Sequence, residues 1–288
     1  MKTKIHIILL LLVVGMVNGQ KKKEVIDEYA HELVYKVVNE DTLKLQIYNP
    51  TDFRANKKYP TIVFFFGGGW NGGSIYQFKD QALYFASRGM ISVLVDYRVK
   101  NKHGTTPFEA VKDAKSAMRF LKAKADEYGI DTDKIVASGG SAGGHLAAAT
   151  SLLPGINEET DDLSISPKAS ALVLYNPVID NSEKGYGYQR IGDRYLGFSP
   201  LHNIKKGAPP TIFFLGDKDK YIPVSTAYDY KAKMEAVGSR CDVFIYENLE
   251  HGFFNRGKQK GDKCYVETTL EADAFLQSIG YLKGKPTL

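Results

Sequence analysis

The chain has 288 residues, 43% of them hydrophobic and 25% charged, with 27 Gly, 11 Pro and 2 Cys. These proportions exclude collagen-like, disordered and disulfide-scaffold proteins and fit a soluble globular one. The formal charge of +5 falls to +3 without Lys2 and Lys4, and the scattered lysines form no basic stripe of the kind a nucleic-acid partner requires.

Residues 1–19 read as a signal peptide. Lys2 and Lys4 precede an apolar stretch from Ile5 to Val14 broken only by His6, and Val17-Asn18-Gly19 puts small residues before a cut at Gln20. A membrane span needs roughly 20 apolar residues to cross about 30 Å of hydrocarbon, more than this stretch offers, and no Cys stands at the cut to take a lipid. The expectation is an exported protein, periplasmic or secreted, without a membrane anchor, in which residues 20–288 form one domain. The basic run Lys21-Lys22-Lys23 then becomes a solvated tail.

Strand and helix signals alternate from there on. Residues 32–38 and 42–48 predict a hairpin around Asn39-Glu40-Asp41. The apolar run 61–66, between Pro60 and Gly67, predicts a strand buried on both faces, as in a parallel sheet. A helix over 76–88 and a strand over 91–96 follow. Pro107 opens a long helix with Phe108, Val111, Ala114, Met118 and Leu121 on one face. Further strands are expected at 134–138, 171–175, 211–215 and 242–246, and further helices at 142–152, 225–237 and 267–279. Residues 158–162 read as an acidic surface loop, and 180–206, without clear periodicity, as a small insert. Repeated β-α-β without an internal boundary predicts one α/β domain. Cys241 and Cys264 stand 23 residues apart. Either they form one bridge, adding about 3 kcal/mol in a chain-entropy treatment, or they are two independent buried thiols.

Chemistry-bearing residues fall at the ends of predicted strands. Gly139-Gly140-Ser141-Ala142-Gly143 fits G-x-S-x-G between a strand and a helix. A turn that sharp strains the backbone at the serine, tolerates only small neighbours, and exposes the hydroxyl beside the amide of Ala142. An ordinary N-capped helix start is the competing reading. Phe66-Gly67-Gly68-Gly69-Trp70 follows the buried strand, and its glycines allow backbone amides to approach a ligand. Gly216-Asp217-Lys218-Asp219, with Pro223 beyond, and Leu249-Glu250-His251-Gly252 end two later strands. A lone loop histidine is usually unremarkable, but Ser141, Asp219 and His251 in that order are a strong combination.

In these motifs the chain resembles the α/β-hydrolase fold, over most of its length from about Val34 to Ile279. The resemblance is to single-domain serine esterases with a mostly parallel central sheet and helices on both faces. It is nearest the carbohydrate acetyl and feruloyl esterases, related to hormone-sensitive-lipase-like enzymes. Relatives usually have His before the three glycines where this chain has Phe66, and too few residues precede the first strand for the bulky cap of the strict hormone-sensitive-lipase group. The resemblance implies Ser141 as nucleophile, His251 as base, and Asp219 as the acid orienting it. It further implies an oxyanion hole from the amides of Gly68, Gly69 and Ala142. Asp219 is preferred because the family's acid stands three residues after the Gly and four before the Pro; Asp217 and Asp180 are the alternatives. No cofactor or metal is implied. The expected partner is a small-molecule or glycan ester, and oligomeric state is left open.

His145, one turn beyond Ser141, is expected to point into the fold, and His103 and His202 have no partners at ligand spacing. Asp96-Tyr97-Arg98 reads as a site of internal ion pairing. Tyr186, Tyr188 and Tyr195 would either stack on sugar rings or pack the insert onto the body. The leading expectation is an esterase removing acetyl or other small acyl groups, plausibly from a polysaccharide. A general short-chain carboxylesterase or lipase-like enzyme and a catalytically silent carbohydrate binder are the competing readings.

Overall fold

Strands β1 (Ala30–Val38) and β2 (Asp41–Tyr48) form the expected antiparallel hairpin, turned at Asn39 with φ +53°. The structure, a computed structural model, describes residues 30–288; the expected signal peptide and the basic run lie outside the described residues. The hairpin is followed by β3 (Tyr59–Phe65), a 3-10 turn (Ile75–Phe78) running into α1 (Lys79–Ser87), and β4 (Ile91–Val95). Next come α2 (Pro107–Ala123), β5 (Ile130–Gly140), α3 (Ala142–Leu152) and β6 (Ala171–Tyr175). The chain ends with β7 (Thr211–Gly216), α4 (Val224–Ala236), β8 (Cys241–Tyr246) and α5 (Lys263–Ser278).

One eight-stranded sheet runs β1-β2-β4-β3-β5-β6-β7-β8. β2 pairs antiparallel with β1 and β4, and every other pairing is parallel. Alternate side chains feed two cores. Val63 and Phe65 of β3 share one core with α2, α3 and α4, whereas Ile62 and Phe64 share the other with α1 and α5. Both faces of the parallel strands are covered, which is why their sequences read as unbroken apolar runs. Among the described residues, no helix is long and apolar enough to cross a membrane.

One expectation, the acidic surface loop, is corrected here, and two others are borne out with more detail than the sequence offered. The buried face of α2 is wider than its apolar stripe and includes Asp113, Lys115 and Arg119. These charges are buried because each is partnered. Asp113 binds Lys36 and Arg98, both at 2.7 Å, and Lys115 donates to the carbonyls of Leu153 and Gly155. The acidic loop supplies the remaining partners: Glu158 meets Lys36 at 2.8 Å and Arg98 at 3.0 Å, and Asp161 meets Arg119 at 2.8 Å. That loop is therefore not wholly a surface feature, because half its carboxylates turn inward to satisfy cations on β1 and α2. Within Asp96-Tyr97-Arg98 it is Arg98 that makes the ion pairs, while Asp96 accepts the Tyr97 amide at 3.0 Å. Of the two readings left open for the cysteines, two separate thiols hold: Cys241 and Cys264 are both free and buried, and each packs into a different core.

Candidate active site

Ser141 stands between β5 and α3 with φ +54° and ψ −120°. Three hydrogen bonds hold this strained residue: its N–H donates to Tyr175 O at 2.9 Å, and its carbonyl accepts from His145 N and Val178 N at 3.0 Å each. The glycines around it answer to crowding. A Cβ at Gly143 would collide with the Phe65 carbonyl, and one at Gly140 would lie 2.5 Å from the Phe254 ring. Only a hydrogen at Gly143 lets the helix start this close to β3, and only one at Gly140 leaves room for the Phe254 ring. Ala142 is the first helical residue, so its N–H has no intrahelical acceptor.

β7 delivers Asp219. Its Oδ1 accepts the amides of Tyr221 (2.8 Å) and Ile222 (3.0 Å), and its Oδ2 lies 2.6 Å from His251 Nδ1. The carboxylate is fully buried, while the histidine side chain is about one-fifth exposed. The alternatives are occupied elsewhere: Asp217 accepts the Asn248 amide at 2.7 Å, and Asp180 accepts the Ser182 amide at 2.9 Å.

Gly68, Gly69, Ser141 and His251 line one pocket of about 550 Å³. The Gly-rich loop above it is pinned from three sides. Gly67 N donates to Gln77 Oε1 at 2.5 Å, Tyr97 OH donates to Phe66 O at 2.6 Å, and Arg190 Nη1 donates to Gly69 O at 2.6 Å. Phe66, standing where relatives carry His, stacks on Tyr97 at 4.1 Å and anchors the loop by packing. Arg190 also lies over the Trp70 ring at 5.2 Å, so the insert braces the loop.

Several pocket residues escaped the sequence reading. Gln77 donates to Asn255 Oδ1 (3.1 Å), whose Nδ2 reaches Gly252 O (2.8 Å), linking the Gly-rich loop to the histidine loop. Asn176 follows β6 with φ +33°; its Nδ2 lies 3.3 Å from His251 Nε2. Tyr221 meets His251 edge to face at 5.0 Å. Their signal in sequence was slight, since Asn-Pro reads as a turn and Gln77 as one polar helix residue. Of the three insert tyrosines only Tyr186 lines the pocket; Tyr188 binds Asp193 (2.8 Å) and Tyr195 packs on His202. His145 is fully buried, with Nε2 2.9 Å from Phe198 O. His103 Nδ1 accepts the Val99 amide at 2.9 Å, and His202 Nδ1 lies 2.9 Å from Ser199 Oγ.

A serine on a strained strand-to-helix turn and a carboxylate-held histidine at the carboxyl edge of such a sheet define an α/β-hydrolase. Comparison with known proteins narrows the class. BD-FAE matches residues 45–184, and the dienelactone hydrolase family matches residues 179–283. Esterase 2 of Thermogutta terrifontis, in its apo form, superposes with a TM-score of 0.86 at 43% identity, over 89% of this chain and 97% of that one. A probable isoprenylcysteine alpha-carbonyl methylesterase of Arabidopsis thaliana is 28% identical over 72% of this chain and 48% of its own length. An esterase of Mycobacterium tuberculosis is 28% identical over 68% of this chain and 54% of its own. The chain spans about half the length of these curated relatives. It belongs to the α/β-hydrolase esterases.

Proposed function

We propose that this chain is a serine carboxylic ester hydrolase that removes acetyl or other small acyl groups, with a hydroxyl-rich alcohol, that of a polysaccharide, on the other side of the ester. The observation that carries the reading is the 2.6 Å pair between buried Asp219 and His251, opening on the pocket that Ser141 lines. In this mechanism His251 takes the Ser141 proton as the hydroxyl attacks the ester carbonyl, and Asp219 stabilises the imidazolium. The amides of Gly68, Gly69 and Ala142 receive the tetrahedral oxyanion; one such donor is typically worth about 10²–10³ in rate. His251 then protonates the leaving alcohol, and water hydrolyses the acyl-enzyme by the same route.

The lining supports this substrate class. Gln77, Asn176, Asn255, Lys258 and Gln259 present polar groups, and Phe254 is the only purely hydrocarbon side chain among the lining residues. Such a wall suits hydroxyls better than a long acyl chain. An acetylxylan esterase of Xylanibacter ruminicola is a more distant relative, 25% identical over 65% of this chain, and favours the glycan. The Thermogutta esterase has been solved with propionate and with butyrate bound, which favours the second reading, a general short-chain carboxylesterase. Export to the periplasm or beyond, expected from residues 1–19, belongs to the same proposal.

Hydrolysis of p-nitrophenyl acetate and of acetylated xylan, beside Ser141→Ala, tests it. Turnover of both substrates by the parent and of neither by the variant is the expected result. Cleavage of the small ester alone would favour the general carboxylesterase, and turnover of neither by the parent would overturn the enzyme reading.

A further inference from the structure

We propose that Asn176 is a positioning residue for His251, holding the imidazole in the tautomer whose Nε2 carries the proton-accepting lone pair. This rests on the serine-hydrolase reading above. Asn176 is fully buried, and its amide has two contacts on the histidine loop. Oδ1 accepts the Gly252 N–H at 2.9 Å, and Nδ2 lies 3.3 Å from His251 Nε2. An N–H must find an acceptor, so the Gly252 contact fixes which end of the amide is oxygen and leaves the NH₂ facing the imidazole.

The same conclusion comes from the other side of the ring. Ionised Asp219 is an acceptor only, so His251 Nδ1 carries a proton. The neutral ring then offers a lone pair at Nε2, which the Asn176 NH₂ complements. Asp219 and Asn176 thus specify one tautomer from opposite edges. The backbone supports this placement. Positive φ is tolerated by Asn better than by most residues, and the Asn176 N–H is tied to Phe214 O at 2.7 Å. When Ser141 delivers its proton, the Nδ2 contact must yield to it. Asn176 therefore presets the base without taking part in the transfer.

Asn176→Asp separates this role from a packing role. The substitution keeps shape and the acceptor for Gly252 but replaces the donor at Nε2 with a carboxylate, which favours the protonated ring. The other groups that meet the imidazole, the Asp219 carboxylate at 2.6 Å and the Tyr221 ring, are unchanged by the substitution, as are Ser141 and Lys258 on the wall of the same pocket and Glu250, the neighbour of His251 in the chain. With p-nitrophenyl acetate, kcat at neutral pH is expected to fall at least tenfold with KM little changed, and the acidic limb of the pH–rate profile to move to higher pH. Asn176→Ala, which removes both contacts, should lower kcat without that displacement. Nitrogen-15 NMR of histidine-labelled protein provides a reading independent of turnover. The parent should show His251 as the Nδ1–H tautomer at neutral pH, and Asn176→Asp as the imidazolium. A parent ring protonated at Nε2 alone, or an Asn176→Asp profile superimposable on the parent's, would overturn the proposal. An inactive parent with the expected tautomer would instead count against the esterase reading and leave this one standing.

Discussion

At Ser141 the backbone occupies a region that costs a residue other than glycine on the order of 1–3 kcal/mol. The turn persists because Tyr175, Val178 and His145 clamp it on both sides. Asp219 shows how close the alternatives can be in sequence and how far apart in consequence. Asp217, two residues away, ties down the Asn248 amide instead of the histidine. Asp219→Asn is therefore expected to lower kcat by about 10⁴, the order seen when such an acid becomes an amide and the wrong tautomer follows. Asp217→Asn should keep most of its activity; steady-state kinetics of the pair makes the comparison. The motif residues were legible because each needs special backbone at a strand end, and glycines mark those places. Asn176, Gln77 and Tyr221 were not, because their roles depend on neighbours far away in the chain: Asn176 meets a histidine loop 75 residues on.

The elements were legible where hydrophobic periodicity was strong. α3 and β6 have the expected limits, and β3, β4, β7 and β8 differ by a residue or two. β5 starts earlier than expected because Ile130 pairs with Tyr59, although the polar Asp131, Thr132 and Asp133 between conceal the strand. α5 likewise begins a turn early. The insert resolved into helical turns of three or four residues, too short to have a period. One of these turns bears on α3. His145 packs its ring on Phe198 at 4.4 Å, and burial pushes its pKa down to about 3, against a smaller opposing effect of the Phe198 carbonyl. The unfolded chain, with an ordinary histidine, binds a proton that the folded one refuses between about pH 3 and 6.5, so stability falls as pH drops through that window. This group alone should cost about 2 kcal/mol between pH 7 and pH 5. Denaturant titrations at the two pH values should show a smaller difference in His145→Gln than in the parent.

Across the whole molecule, the sheet decides what the cysteines can do. Cys241 and Cys264 face different cores, so a bridge between them would have to pass through paired backbone. Burial pushes the Cys241 thiol up to about 12 and raises Cys264 as well, leaving little thiolate to react. Neither thiol is expected to react with a disulfide reagent in the native protein, both should react in denaturant, and dithiothreitol should leave the melting midpoint unchanged. Their spacing in sequence says nothing about which face each occupies; that is set by strand register and helix rotation.

The order of the strands has one more consequence. Ser141 rises from β5, flanked on both sides, whereas His251 follows β8, which has a single neighbour at the rim of the sheet. Rim strands fray at lower free energy than central ones. Under heat or denaturant the His251 loop is therefore expected to come away before the Ser141 turn, so loss of activity should precede melting of the core.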